Sequence, residues 1–381
     1  MPDAASLPEG VRMSLLIGPA VPVPVPREVL DALVSVRVQT PTRGPSTFQL
    51  AFGLDKRSPL HTLFLLSGGA GIPLVRVIVA VTLGGATEVL IDGVMTNHEV
   101  APGSGGGAAT LTVTGEDLSR VMDYLELDGI PYPAMPPSAR VLLALAKYAA
   151  LGVVPLVIPE ISPDVPVPTE RIPRHQGTDL DYVQQLAREV GYVFYLEPGP
   201  AVGTSVAYWG PAVKVGVPQP ALNTDMDAHT NVESLSFSFD SESRALPIVF
   251  LHNPQTKAPI PIPIPDVSPL APPLGVVPPL PKKLEHLRAV AKLSPMAALA
   301  RGLARAADSS EAVTGRGDLD VLRYGRVLEA RRLVGVRGAG PAFDGLHYVD
   351  SVSHEIERGR YRQSFTLSRN GLLSTVSEVA A

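Results

Sequence analysis

Proline constrains this chain more than any other feature. Of 381 residues, 40 are proline, about 10% against a usual ~5%. Just over half of them fall in Pro19–Pro26, Pro155–Pro173 and Pro254–Pro281. Proline gives no N–H to a strand ladder and breaks a helix interior, so these stretches are connectors or extended arms. They cut the chain into blocks, and its length exceeds the roughly 100–200 residues of one domain.

The first block reads as strands. Val34–Val38 and Phe48–Phe52 alternate larger apolar residues with small or polar ones, the mark of half-buried strands. Val75–Val81, Val89–Gly93 and Thr110–Thr114 are further candidates, and Gly103–Gly107 is a turn. Thr114, with Asp117 three residues on, is placed to cap a helix carrying Leu118, Val121, Met122 and Leu125 at helical spacing. The block predicts a small antiparallel barrel or sandwich closed by a helix.

The middle block is mixed. Ser138 is a candidate cap for a helix over Ala139–Ala150, with Gly152 just past its end. Thr178 caps a second helix with Leu180, Val183, Ala187 and Val190 on one face and Gly191 as terminator. Tyr192–Leu196 and Val206–Trp209 form a strand pair across the turn Pro198–Gly203. In the third block Leu235, Phe237 and Phe239 alternate with Ser234, Ser236 and Ser238. The apolar three are expected to face a core and the serines a channel or a neighbour. Lys283–Ala307 is helical in composition, with a kink at Pro295. Arg326–Val336, Leu346–Glu357 and Tyr361–Ser368 are strand-like, with turns at Gly338–Gly340 and Arg358–Arg360.

The expected fold is therefore α+β and β-rich. Two similar antiparallel barrel-like domains flank a mixed α/β insertion, with boundaries at 1–128, 129–230 and 231–381. A proline-rich insertion over about 254–282 and a helix over about 283–307 lie in the last.

Composition removes several function classes. The chain contains no cysteine, so thiol catalysis, disulfides and cysteine-based metal sites are excluded. Net charge is -5, from 32 Lys and Arg against 37 Asp and Glu, without the basic surplus of a nucleic-acid binder. The basic cluster Arg326–Arg337 is diluted by apolar residues. No apolar run approaches the ~18 residues of a membrane span; Val141–Ile158 and Leu74–Leu83 are interrupted by Lys147, Pro155 and Arg76. Met1–Gly10 carries Asp3 and Glu9 and no basic region, so the expectation is a soluble protein made in the cytoplasm.

The search for chemistry is as spare. His175, His229 and His354 each have an acid nearby, Asp179, Asp227 and Glu355, but none has a metal-ligand spacing. Glu116/Asp117, Asp179/Asp181 and Glu355/Glu357 are the carboxylate pairs for acid–base work. The first two suit helix N-termini, and the third shares one strand face toward solvent. Ser67–Gly71 and Gly103–Gly107 lack the Lys-Ser/Thr of a phosphate loop, and Arg316-Gly-Asp318 reads as a polar turn. Tyr208 and Trp209 form an aromatic pair fitted to a core, a sugar or a partner interface. No catalytic, cofactor-binding or metal residue is assigned, and no cofactor or metal is expected.

Three segments resemble one family in the same order. Gln176–Tyr195 (QGTDLDYVQQLAREVGYVFY) resembles the helix–strand segment of the phage late-control D family, with a similar one in the valine-glycine-repeat spike proteins of type VI secretion. Thr110–Met122 (TLTVTGEDLSRVM) resembles the strand–helix ending the family's first barrel. Phe343–Ile356 (FDGLHYVDSVSHEI) with Tyr361–Gly371 (YRQSFTLSRNG) resembles its closing hairpin. The resemblance implies a non-enzymatic baseplate hub of a contractile phage tail or injection system. Such a hub is a homotrimer that joins a six-fold inner tube to a three-fold spike. Implied partners are a second and third copy, a separate spike protein, an inner-tube or tube-initiator protein and other baseplate proteins, with no nucleic acid and no membrane span. Incorporation in the baseplate of a tail-like particle follows. The alternative is a tail-associated cell-wall-active enzyme or glycan-binding module.

Overall fold

The computed structural model describes residues 10–54, 60, 74–103, 109–160, 165–169, 171–252, 259–264, 271–287, 295–376 and 379. The chain starts with β1 (Val11–Gly18), β2 (Val23–Pro24), the short helix α1 (Arg27–Ala32), and then β3 (Leu33–Pro41) and β4 (Thr47–Leu54). β5 (Arg76–Leu83), β6 (Ala86–Ala101) and β7 (Ala109–Asp117) follow, closed by a 3-10 turn over Leu118–Asp123. The alternation that marks β4 is real: Phe48, Leu50, Phe52 and Leu54 are buried and the residues between them are not.

The middle block holds α2 (Pro137–Ala146), β8 (Val153–Val157), α3 (Asp179–Val190), β9 (Val193–Pro198) and β10 (Ser205–Gly210). Its three strands form their own sheet in the order β8-β10-β9. The Thr178 hydroxyl accepts the Asp181 N–H, and Gly191 stops α3 at φ 73°, a conformation that glycine adopts without Cβ strain. Val141, Leu145, Val183, Leu186 and Trp209 make this block's core, reached from the first block by Val94, Leu118 and Met122.

The last part begins with β11 (Gln219–Asn223) and β12 (Ser234–Phe239). A sheet of β13 (Ala245–His252), β14 (Pro259–Pro263) and β16 (Lys283–His286) follows, with β15 (Gly275–Val277) before β16 in sequence. α4 (Pro295–Ser309) shares an apolar cluster with this sheet: Val249, Ile264, Ala298 and Ala306. Then come β17 (Val313–Asp320), α5 (Val321–Tyr324), β18 (Leu333–Arg337), β19 (Gly345–Glu357), β20 (Arg360–Arg369) and β21 (Leu372–Ser374), which pairs with β15.

Among the described residues thirteen strands form one sheet, ordered β12-β17-β20-β19-β3-β4-β7-β6-β5-β1-β2, with β11 and β18 joined to it through β19. Two runs in this sheet share one topology. The first is β1-β5-β6-β7-β4-β3 and the second β11-β18-β19-β20-β17-β12, the same chain order in each. Among their register shifts, both runs share a bulge at the same place. The β6–β7 register skips Thr96 between Met95 and Asn97, and the β19–β20 register skips Asp350 between Val349 and Ser351. The ends differ: β1 is antiparallel to β5, whereas β11 is parallel to β18. One apolar core, including Phe52, Leu111, Val113, Val352, Phe365 and Leu367, runs under both.

Several expectations change. Neither run closes on itself among the described residues; β3 pairs with β19 instead, so the barrel-like blocks meet in one open sheet. The expected helix from Lys283 begins at Pro295, where a missing N–H is not needed, and Lys283–His286 pairs parallel to β13. Only Leu333 onward of Arg326–Val336 is strand. Thr114 stays in its ladder; the cap is Asp117, whose carboxylate accepts the Ser119 N–H at 2.9 Å and the Ser46 N–H at 2.6 Å. α2 starts at Pro137, and the Ser138 N–H goes to Glu160 at 3.0 Å.

Arg316-Gly-Asp318 is mid-strand in β17 rather than a turn. A Cβ on Gly315 would meet the Phe237 ring at 2.6 Å, and one on Gly317 the Phe365 ring at 2.7 Å. The glycines admit aromatic rings on the core side while Arg316 and Asp318 point the other way. Leu235 and Phe237 pack on the core as expected, Phe237 stacked on Phe343 at 5.0 Å, but Phe239 is 37% exposed. The Gly-rich segments Ser67–Gly71 and, over 104–107, Gly103–Gly107 lie outside the described residues.

Candidate functional site: the polar face of the sheet

Period-two geometry gives every strand a second face. In eight consecutive strands, β12-β17-β20-β19-β3-β4-β7-β6, that face is polar. Ser234, Ser236 and Ser238 lie beside Thr314, Arg316 and Asp318, then Arg362, Ser364 and Thr366, then Ser351, Ser353 and Glu355. The series continues across β3 with Arg37 and Gln39, through Thr47 and Gln49 to Thr112 and Thr114, and ends at Asn97 and Glu99.

The face is curved. Gln39 of β3 and Ser234 and Ser236 of β12 line one shallow depression of about 380 Å³, although three strands separate β3 from β12. The polar side of this part of the sheet is therefore concave. Its groups satisfy each other laterally: Ser234 and Ser364 hydroxyls donate to Asp318 at 2.8 and 2.7 Å, and Arg37 donates to Glu355 at 2.6 Å. Charges of both signs are interspersed. A surface of small hydroxyls and balanced charge stays hydrated and offers no apolar anchor to a ligand.

The histidine–acid pairs go three ways. His354 and Glu355 are neighbours in β19 and so point to opposite faces. His354 is buried against the Tyr361 hydroxyl at 2.9 Å, and burial pushes its imidazole down to about 4. His229 and Asp227 share an exposed 3-10 turn. His175 and Asp179 do approach, at 3.6 Å, both about 1% exposed. Tyr132 hydrogen-bonds His175 at 2.9 Å, and Lys147 and the Tyr148 hydroxyl donate to Asp179 at 2.7 Å each. Burial holds His175 below the ordinary histidine value, against the pull of Asp179. This cluster fastens the start of α3 to the segment after α2 beneath the surface. Among the described residues no group of three His, Asp or Glu is placed to hold a metal ion.

Two of the carboxylate pairs separate and the third stays on one face. Asp117 is a buried cap, Asp179 is buried while Asp181 is exposed, and Glu355, on the same strand face as Glu357, pairs with Arg37. Trp209 is fully buried in the core, edge-on to Tyr192 at 4.9 Å, while Tyr208, on the other face of β10, is half-buried and stacks on Tyr195 at 5.0 Å.

Sequence inspection missed the buried ion pair of Arg76 with Asp92, 4% and 0% exposed, at 2.6 and 2.7 Å. Arg76 also donates to the Ala20 and Gly203 carbonyls at 3.0 Å, tying the first strand run to the middle block. The available signal was a charge inside the otherwise apolar strand Val75–Val81. Glu88 and Asp350 are pushed up to about 7, burial being the main cause in each.

No family model matches the chain, and no curated protein matches it in sequence. Solved structures do. A tail protein from Neisseria meningitidis superposes with a TM-score of 0.63 at 14% identity, over 96% of this chain and 98% of that one. The 43 kDa tail protein of prophage MuSo2 from Shewanella oneidensis gives 0.59 at 13% identity, over 94% and 98%. The E. coli c3393 protein, a component of the type VI secretion system with structural similarity to the T4 tail proteins gp27 and gp5, gives 0.54 at 12% identity, over 90% and 76%. One large, mostly antiparallel sheet, a small mixed block between its two runs and coverage of 90–96% of this chain and 76–98% of those chains give this chain the fold of these phage tail and type VI secretion proteins.

Proposed function

We propose that the chain is a structural baseplate hub of a contractile phage tail or injection system. Three copies would form a ring that joins a six-fold inner tube to a three-fold spike. The observation that carries this reading is the repeated strand run whose polar faces merge into one concave wall. Two like units per chain make six in a trimer, which is how a three-fold assembly meets a six-fold one. A hydrated wall of mixed charge suits a channel, because nothing passing along it finds an apolar surface to stick to.

The role proposed is architectural rather than catalytic. It fits carboxylates that serve as caps, ion pairs and buried ties instead of converging in a cleft. The domains 1–128, 129–230 and 231–381 are the units of this reading, the outer two as tube modules. Proposed partners are two further copies, a spike protein, the tube or its initiator and other baseplate proteins. The fold-mates include a chain of a Francisella PdpA–VgrG complex, aligned over 98% of this chain and 60% of that one. The site of action would be the baseplate of a tail-like particle. Light scattering of the purified chain, alone and with its spike protein, tests the reading: the mass of three chains is expected, and one chain's mass under both conditions overturns it.

A further inference from the structure

The repeat relates the two runs residue by residue. Through the shared bulge, Met95 corresponds to Val349 and Asn97 to Ser351. Through the ladders, Val36 and Val38 of β3 correspond to Leu235 and Phe237 of β12. Within the chain, β19 receives β3 along 351–357, with Ser353 opposite Gln39 and Glu355 opposite Arg37.

The counterparts of both partners are open. β5 pairs with β6 only over Ala86–Val94, and no described strand continues along that edge to Ala101. β12 is paired by β17 on one side and by no described strand on the other. One chain thus contains one formed junction and the two halves of a second, at opposite ends of its eight-strand wall.

We propose that β12 pairs antiparallel with His98–Ala101 of a second copy, in the register that β3 and β19 already display. Ser238 then lies opposite Glu99 of the neighbour, Phe237 opposite its Val100 and Phe239 opposite its His98. Two further observations agree. Val100 is 41% exposed and Phe239 37%, yet both stand on the core side, opposite buried Leu111 and Val313, at edges that no described strand pairs. β12 also lacks the lysine, proline or bulge with which solitary edges are blunted. The contact is head-to-tail, so it generates a closed ring or a filament; closure at three copies rests on the hub reading.

The absence of native cysteine makes the junction directly testable in the full chain. Glu99→Cys with Ser238→Cys places two thiols opposite each other on the exposed polar face, within disulfide reach across an antiparallel pair. Under mild oxidation the chain is expected to shift from a one-chain to a three-chain band on a denaturing gel, reversibly with reductant. Each single variant should stay at one chain. Val100→Cys with Ser238→Cys, one residue out of register and on opposite faces, should stay at one chain as well. A three-chain mass by light scattering with no linked band for the first pair overturns the junction and leaves the hub reading standing. A one-chain mass with and without the spike protein overturns both.

Discussion

The two strand runs carry the same backbone plan with different side chains at equivalent points. Arg76 and Asp92 in the first correspond to Leu333 and Leu346 in the second. The charged pair meets the backbone carbonyls of Ala20 and Gly203 and the Ser205 hydroxyl; the leucines meet Leu274 and Tyr348 in a small apolar cluster. Likewise Leu111 corresponds to Gln363. Leu111 sits in an apolar core, whereas the Gln363 amide holds both the N–H and the C=O of Leu328, at 2.9 and 2.8 Å. The frame is set by strand order and bulge, and the chemistry at each point by what covers it.

The largest effect is expected where a charge would be orphaned. Asp92→Ala leaves the Arg76 guanidinium buried without its carboxylate and should cost about 3–5 kcal/mol, read as a lower urea midpoint. Arg76→Met with Asp92→Leu, which imitates the second run, should cost less than either single change. If the double variant is the worse, the carbonyls of Ala20 and Gly203 matter more than the charge pair, and the comparison fails at this position.

Next is the amide. Gln363→Leu imitates Leu111 but strands the Leu328 backbone, at about 2–3 kcal/mol. Leu111→Gln buries an amide with no backbone waiting for it, at a similar cost. Urea midpoints for both variants check this; a neutral Gln363→Leu would mean that the Leu328 segment finds other partners.

The third prediction is a pH dependence seated in the second run at His354, which occupies the position of Val100. Burial lowers the His354 pKa to about 4 in the fold, against ~6.5 unfolded. Between these values the unfolded chain binds the extra proton. The contribution is therefore complete above pH ~6.5 and is lost as pH falls toward 4. Arg369's charge and, foremost, burial lower His347 to about 3, with the same sign. Glu88 and Asp350, raised to about 7, act oppositely, losing stability as pH rises from ~4 to ~7. Comparison with His354→Gln isolates one group: from pH 7.5 to 4.5 the parent chain should lose about 2–3 kcal/mol more than the variant. Equal losses would place the titration elsewhere.

Much of the frame could be read from sequence because alternation is local: β3, β4, β7, β12, β19 and β20 all follow from apolar spacing, and Thr178 and Gly191 announce α3. The pairing of β3 with β19 could not, since residues more than 300 positions apart leave no local trace. The repeat was hidden because equivalent points differ in class, as Arg76 and Leu333 do. Composition misled at Lys283, where parallel pairing with β13 outweighs helix preference. Of the polar face, the serines of β12 were legible as an outward row, but the curvature that brings them to Gln39 depends on the whole sheet.

The smallest effect belongs to the junction's own ion pair. Arg37 and Glu355 face each other across β3 and β19 at 2.6 Å, with side chains 59% and 44% exposed. Their counterparts at the proposed second junction are Ser236 and Ala101, which cannot form an ion pair. If both junctions do the same job, this pair is not part of what makes a junction. Glu355→Gln and Glu357→Gln should then change stability by no more than about 0.5 kcal/mol, the scale of exposed pairs. If the hub proposal holds, assembled particles carrying either change should act as the parent does. The measurement is a urea midpoint beside a particle-activity assay. Loss of activity in particles that assemble normally would give these carboxylates a chemical role on the polar face and restore the cell-wall-active reading. Loss of assembly with an unchanged midpoint would instead make the β3–β19 junction chemically distinct from the one between copies, and the register taken from it would have to be measured anew.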